Sequence, residues 1–370
     1  MNISMNLMLT EKVMLLTNQL YVSPSGGREL LCKLNHDMLK DTYGDQLLVF
    51  ELPQRQVRGL KAIVKAFEGH IAGLNNTAIA EALRIIQMEC VGKVFIDGSN
   101  FGEFAKIVKT NFPHVQVYTF FHNVEARFFL GSLRETKTLH ALAVLMVNYL
   151  AERKSVRYSD KLICLSGRDS CLLQKLYGRA ATHVSPMALQ DKLPMELSST
   201  GSEPREKFAL FVGGVFYANR AGITWFVKHV VPRINIKTCI VGRGFENFKH
   251  DLEREGKVEV IGTVDNLAQW YLDSHFVIAP IFDGSGMKTK VAEALMFGKK
   301  IIGTPEAFSG YEDIADRAGR ICVSADDFVA AIEAANIMVE LPFDPTLRSL
   351  YESIFSFEVA RKRLKNIMGE

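Results

Sequence analysis

The stretch Ala279–Thr304, APIFDGSGMKTKVAEALMFGKKIIGT, holds the densest grouping of residues suited to chemistry. An apolar run ends at Pro280 and a Gly284-Ser285-Gly286 turn follows. Helical spacing then predicts a helix from Met287 to Phe297, with Gly298 just past its end. Backbone N–H groups of such a turn, and of the first helical turn, are free to face an anion. Lys288 and Lys290 fall in that first turn, where positive charge opposes the helix dipole by about 0.3–1 kcal/mol each. An anionic ligand reverses that sign, and Glu293, one turn on, can meet a hydroxyl at the same mouth. A plain strand–turn–helix with surface lysines and a Lys290–Glu293 pair fits the same letters.

A second glycine loop, Pro24-Ser25-Gly26-Gly27, follows an apolar run and opens a helix, so a phosphate could approach its backbone. Double glycines also serve in plain tight turns. Neither this loop nor Gly242-Arg243-Gly244 has the G-x-G-x-x-G spacing of a dinucleotide site, which disfavours a nicotinamide-dependent dehydrogenase. FFHNVEARFF, Phe120–Phe129, sets His122 and Asn123 at the end of a strand. Imidazole there suits polar contact or proton handling, although single histidines are more often ordinary core or surface residues. In RQVRGLKAIVKAFEGH, Val57, Leu60, Ile63, Val64 and Phe67 line one helical stripe and Arg55, Arg58, Lys61 and Lys65 the next. That pattern fits an anionic membrane surface, or an ordinary helix with its apolar stripe on the core.

These groups need a frame, and short apolar runs supply it. Val13–Thr17, Gln46–Phe50, Lys93–Ile96, Val115–Phe120 and Lys161–Leu165 read as buried strands in the first half. Helical patterns separate them, notably Arg28–Leu39, Thr77–Gln87, Phe101–Thr110 and Glu125–Arg153. The alternation restarts with Phe208–Val212, Thr238–Val241, Lys257–Ile261, His275–Pro280, Lys300–Gly303 and Gly319–Val323, and closes on a helix, Ser349–Met368. Buried strands alternating with helices predict parallel α/β sheets. The division expected is an N-terminal domain over 1–186, a linker over 187–206 and a second domain over 207–348. A helix over 349–370 would pack back on the first domain.

Composition narrows the function classes. A chain of 370 residues, 48% hydrophobic and 23% charged, is a packed protein long enough for two cores. No apolar run approaches the ~20 residues of a membrane span, and no secretory signal is visible. The six cysteines form no C-x-x-C pair, and the nine histidines no H-x-x-x-H or H-E-x-x-H, so no metal is implied. The cysteines read as reduced thiols of a cytoplasmic protein. Residues 1–186 carry 22 Lys+Arg and 16 Asp+Glu, a balance of +6, while the rest balance at −3. A basic half suits a membrane surface, a polyanion or a phosphorylated substrate.

Taken in order, P-x-G-G, HNVE, YSDKLICLS (Tyr158–Ser166), FVGGVFYANRAGITWF (Phe211–Phe226), IVGRG, VIGTVDNLAQWYLDSHFVIAP (Val260–Pro280) and GSGMKTKVAEAL resemble the retaining group 1 glycosyltransferases of the GT-B fold, sugar-transferase family 4. The resemblance implies two Rossmann-like domains facing across a cleft. It implies transfer of a sugar from a nucleoside diphosphate sugar, UDP or GDP, to an acceptor hydroxyl with retention. Gly26 and Gly27 would lie against the donor diphosphate, and His122 would touch the transferred sugar. Gly242 and Arg243 would lie near the nucleoside, Glu293 on its ribose, and Ser285, Gly286, Met287, Lys288 and Lys290 around sugar hydroxyls and phosphates. The family's paired glutamates would place the first at 285, where this chain has Ser, a change shared by a branch with a G-S-G-x-[KR] pattern. Its Arg/Lys pair after the first strand of the second domain is also missing. Gly214 and Asn219 stand near those positions with Arg220 one step beyond, so Lys288, Lys290 or Arg220 must supply the charge.

The expected partners are therefore the donor, a glycan or lipid-linked acceptor, and an anionic membrane surface touched peripherally, with no nucleic acid and no cofactor. A cell-surface polysaccharide or glycolipid product is expected. An inert nucleotide-sugar-binding subunit of the same fold is the alternative.

Overall fold

The computed structural model describes residues 11–22, 26–53, 60–194, 207–284, 286–338 and 343–370. They form two compact units, the first running to Ser185 and taking in Arg361–Glu370, the second spanning Pro186–Ala360.

In the first unit the apolar runs become β1 (Val13–Thr17), β2 (Leu47–Glu51), β3 (Lys93–Asp97), β4 (Gln116–Phe121), β5 (Lys161–Cys164) and β6 (His183–Val184). All pair in parallel, in the order β2-β1-β3-β4-β5-β6. The helices are α1 (Gly27–Tyr43), α2 (Leu60–Phe67), α3 (Asn76–Met88), α4 (Gly102–Asn111), α5 (Glu125–Thr136), α6 (Leu139–Tyr158) and α7 (Gly167–Tyr177). β1 and β3 are buried along their whole length, which is why VMLLT is almost wholly apolar and KVFID carries its charges only at its two ends. β6, at two residues, is too short to leave such a run.

The single helix expected over Glu125–Arg153 is two. Lys137 takes a left-handed conformation (φ 51°) that closes α5, and the Thr138 hydroxyl accepts the Ala141 N–H at 3.1 Å to open α6.

The second unit repeats the plan with β7 (Phe208–Val212), β8 (Lys237–Val241), β9 (Val258–Gly262), β10 (Phe276–Ala279), β11 (Ile301–Gly303) and β12 (Gly319–Ile321). Their order is β12-β11-β10-β7-β8-β9, again parallel. Its helices are α8 (Tyr217–His229), α9 (Lys249–Leu252), α10 (Leu267–Asp273), α11 (Thr289–Met296), α12 (Ala315–Ala318), α13 (Ala325–Met338), α14 (Pro345–Leu350) and α15 (Phe357–Met368), the last ending in the first unit. The terminal helix expected over Ser349–Met368 is broken. A wide turn, Tyr351–Phe355, follows α14, and Ser356 is extended. There the backbone of Leu189 takes over, donating to Phe355 O at 2.9 Å and accepting from Phe357 N–H at 3.2 Å.

Strand order reverses once in each sheet, between β1 and β3 and between β7 and β10. The carboxyl ends of the strands at such a point are where α/β sheets hold ligands.

Candidate functional site

The reversal in the second unit brings several candidates together. β7 runs into Gly213 and Gly214, and β8 into Gly242. At Gly242 (φ 152°) a Cβ would lie 1.9 Å from the Gly213 carbonyl oxygen, so only glycine lets these loops touch. They are tied by Gly213 N–H to Val241 O and Val215 N–H to Arg243 O, each 3.0 Å. Asn219, in the first turns of α8, donates Nδ2 to Gly214 O at 2.9 Å. Its Oδ1 accepts Nζ of Lys290 at 3.0 Å, a contact that spans from α11. Lys290 is buried, with Nζ 4.4 Å from the centre of the Phe211 ring. Burial pushes its ammonium down to about 7, Glu293 opposing and Lys288 adding to the shift.

Lys288 caps α11 rather than sitting inside it. Its Nζ meets Glu306 Oε1 at 2.9 Å and Gly286 O at 3.0 Å, and its carbonyl accepts the Tyr311 hydroxyl at 2.8 Å. Glu293 does not pair with Lys290. Its Oε2 accepts the Tyr271 hydroxyl at 2.8 Å, and that ring stacks on Phe297. Burial pushes the Glu293 carboxyl up, against the Tyr271 hydrogen bond and the charges of Lys192 and Lys290. Met287 is buried beside them, and Ser285 lies outside the described residues. Arg220 is exposed, its guanidinium 5.5 Å from the Phe248 ring centre, and Arg243 is exposed as well. Of the three cations weighed for the missing pair, Lys290 is the one bonded into the Gly213–Gly214 loop through Asn219.

The first unit builds a different site. Thr17 ends β1, Asp97 ends β3, and His122 follows β4. Asp97, wholly buried, accepts Nε2 of His122 at 2.7 Å and Nδ2 of Asn35 at 2.8 Å on Oδ1, and the Thr17 hydroxyl at 3.1 Å on Oδ2. Burial works to raise its carboxyl, but His122, with hydrogen bonds from Asn35 and Cys32, holds it below the usual range. Glu152 is also wholly buried, taking the Ser99 hydroxyl (2.8 Å), the N–H groups of Glu125 (2.9 Å) and Ala126 (3.0 Å), and the Tyr177 hydroxyl (2.8 Å). Burial first, then the neighbouring Glu125 carboxylate, push Glu152 up to about 7. Arg28, in the first turn of α1, lies 4.0 Å from Glu125 and donates to Asn100 Oδ1 at 3.2 Å. Two buried side-chain atoms at these strand ends, Asn18 Nδ2 and Asn123 Oδ1, have no hydrogen-bond partner. They are an unused donor and an unused acceptor of the kind a hydroxylated ligand satisfies.

Gly26 precedes α1 and Gly27 begins it; a Cβ on either would meet nothing within 4 Å. Cys32, Asp97 and His122 are the one set of three potential metal ligands among the described residues. Burial and Asp97 push the Cys32 thiol far up, which opposes the thiolate form a metal would need. Arg55, Arg58 and the side chain of Lys61 lie outside the described residues. Lys65 pairs with Glu68 at 2.7 Å on the surface of α2, where Val64 and Phe67 are exposed.

Asp97, Thr17, Asn35, Asn18 and Arg28 did not emerge from the sequence. The usable signal was one residue away, since Asp97 is the charged residue directly after the apolar run expected to stop at Ile96.

Residues 206–338 match the family model for glycosyl transferases group 1. No curated protein matches the chain in sequence. Among solved structures, sucrose-phosphate synthase from Thermosynechococcus elongatus is similar over 97% of this chain and 98% of that one, at TM-score 0.73 and 13% identity. WaaG, a glycosyltransferase involved in lipopolysaccharide biosynthesis, is similar over 97% and 100%, at 0.67 and 13%. Anabaena Alr3699/HepE in complex with UDP is similar over 96% and 99%, at 0.66 and 12%. The chain thus has the GT-B fold, and its residues 206–338 are similar to the group 1 glycosyl transferases.

Proposed function

We propose that the protein transfers a sugar, with retention, from a nucleoside diphosphate sugar carrying UDP or GDP to the hydroxyl of a glycan or lipid-linked acceptor. The observation that carries this reading is the cradle at the second reversal point, where Lys290, Asn219 and the interlocked glycine loops converge. A departing diphosphate needs fixed positive groups, and a preorganised ammonium with backbone N–H groups supplies them without a metal. Glu293 holds the ribose. The first unit, with its orphaned amides and His122, takes the sugar and acceptor hydroxyls.

Thermal unfolding with UDP and GDP in excess chelator tests the donor half of this reading. Ligand at 100 times its dissociation constant is expected to add about 2.7 kcal/mol. Strict dependence on magnesium or manganese would overturn it. His122→Ala is expected to lower turnover about tenfold or more while sparing nucleotide affinity. Lys288→Ala should weaken diphosphates more than nucleosides, and Glu293→Ala should weaken both. An inert subunit is the alternative, favoured by Ser285 and Asn219 standing where the family has charged residues; slow hydrolysis of donor without acceptor excludes it.

The basic first half further supports peripheral attachment to an anionic membrane on the cytoplasmic side, in assembly of a surface polysaccharide or glycolipid. Among the described residues no helix is long and apolar enough to cross a membrane. Replacing Arg55, Arg58, Lys61 and Lys65 with Gln is expected to abolish salt-sensitive sedimentation with anionic liposomes, at about 1 kcal/mol per charge. Wild-type protein that ignores such liposomes at low salt removes this part.

A further inference from the structure

The contact between Asp97 and His122 has a direction. Asp97 lies at the end of a central strand with no solvent exposure, and hydrogen bonds converge on both of its oxygens. A carboxylate so surrounded is ionised and accepts only. The 2.7 Å contact is therefore an Nε2–H donated by the imidazole. The ring also packs on Phe120, centroids 5.5 Å apart. Beyond Asn123 and Val124 the chain is held again, because Glu152 grips the first two N–H groups of α5.

We propose that Asp97 is a positioning residue that fixes His122 in its Nε2–H tautomer, leaving Nδ1 as the ring atom offered to a hydroxyl of the transferred sugar. This rests on the reading that His122 meets that sugar. A neutral ring in this tautomer accepts the hydroxyl's hydrogen at Nδ1, whereas the opposite tautomer would present an N–H there. The unpartnered Asn123 Oδ1, next in the chain, offers a second acceptor to the same kind of group. Asn35 and Thr17 in turn hold the carboxylate, so an amide from α1 and a hydroxyl from β1 set the angle of a ring that follows β4.

The test uses the full chain labelled with 15N-histidine, the His122 signals being assigned by their loss in His122→Gln. The neutral wild-type ring is expected to carry its one proton on Nε2; an Nδ1–H ring overturns the proposal. Asp97→Asn keeps the shape and removes the charge. It is expected to abolish the single fixed tautomer and to lower kcat about tenfold for hydrolysis of the nucleotide sugar that most raises Tm, with KM within about twofold. A wild-type tautomer or a wild-type kcat in that variant also overturns it. If Asp97→Asn fails to fold, the wild-type tautomer still decides. Full turnover in His122→Gln would instead remove His122 from the sugar, a failure of the underlying reading that leaves the tautomer measurement independent.

Discussion

The two reversal points are built from the same topology and hold opposite chemistry. In the second unit a buried ammonium stands over touching glycine loops, and its anchor is backbone and an asparagine. In the first, two buried carboxylates are surrounded by donors from separate strands and helices. A buried cation suits an anion, and clustered carboxylates suit hydroxyls. The glycines differ in the same sense. Gly242 is demanded by its own fold, since any Cβ strikes Gly213, while Gly26 and Gly27 face open space. No contact within the chain demands glycine at 26 or 27.

The sharpest way to break the comparison is to add one methyl group on each side. Gly242→Ala is expected to cost at least ~3 kcal/mol, seen as a large fall in Tm, because backbone meets Cβ in a left-handed conformation. Gly26→Ala and Gly27→Ala are expected to change stability by less than ~1 kcal/mol while impairing donor turnover. Equal loss of stability on the two sides would erase the contrast.

A smaller effect is expected from Lys290→Met. Diphosphate affinity should fall about tenfold, or ~1.4 kcal/mol, without loss of stability, since the variant removes a buried charge. Because the free ammonium sits near 7, diphosphate binding must hold a proton on it, so wild-type affinity should decline as pH rises above about 7. Calorimetry at several pH values reads both, and a pH-independent wild-type affinity argues against Lys290 as the partner.

The smallest effect concerns pH and the stability of each unit. Glu152 is raised from 4.5 to about 7 on folding, so the folded first unit binds the extra proton and its stability falls as pH rises through that window. Lys290 and Lys299 are lowered from 10.5 to about 7, so the unfolded chain binds more protons and the second unit gains stability from about pH 7 upward. Hydrogen exchange on peptides from each sheet should show opposite slopes, of at most about 1.4 kcal/mol per pH unit for each titrating group. Glu152→Gln should flatten the first slope only, and parallel slopes would contradict the assignment.

The sequence by itself determined the α/β alternation, since a strand buried on both faces must be apolar along its length. Val13–Thr17 and Phe208–Val212 stood out for that reason. It also set Gly286, Lys288, Lys290 and Glu293 close together, because they fall within one turn and one helix, where spacing alone fixes what is adjacent. Tertiary structure alone decided that Lys290 turns to Asn219 while Glu293 turns to Tyr271, because helical spacing cannot choose between a neighbour one turn away and a partner from another element. It alone assembled the first site, since Thr17, Asn35, Asp97 and His122 are far apart in the chain and meet only where parallel strands end side by side. Residues joined by sheet order leave no spacing to read.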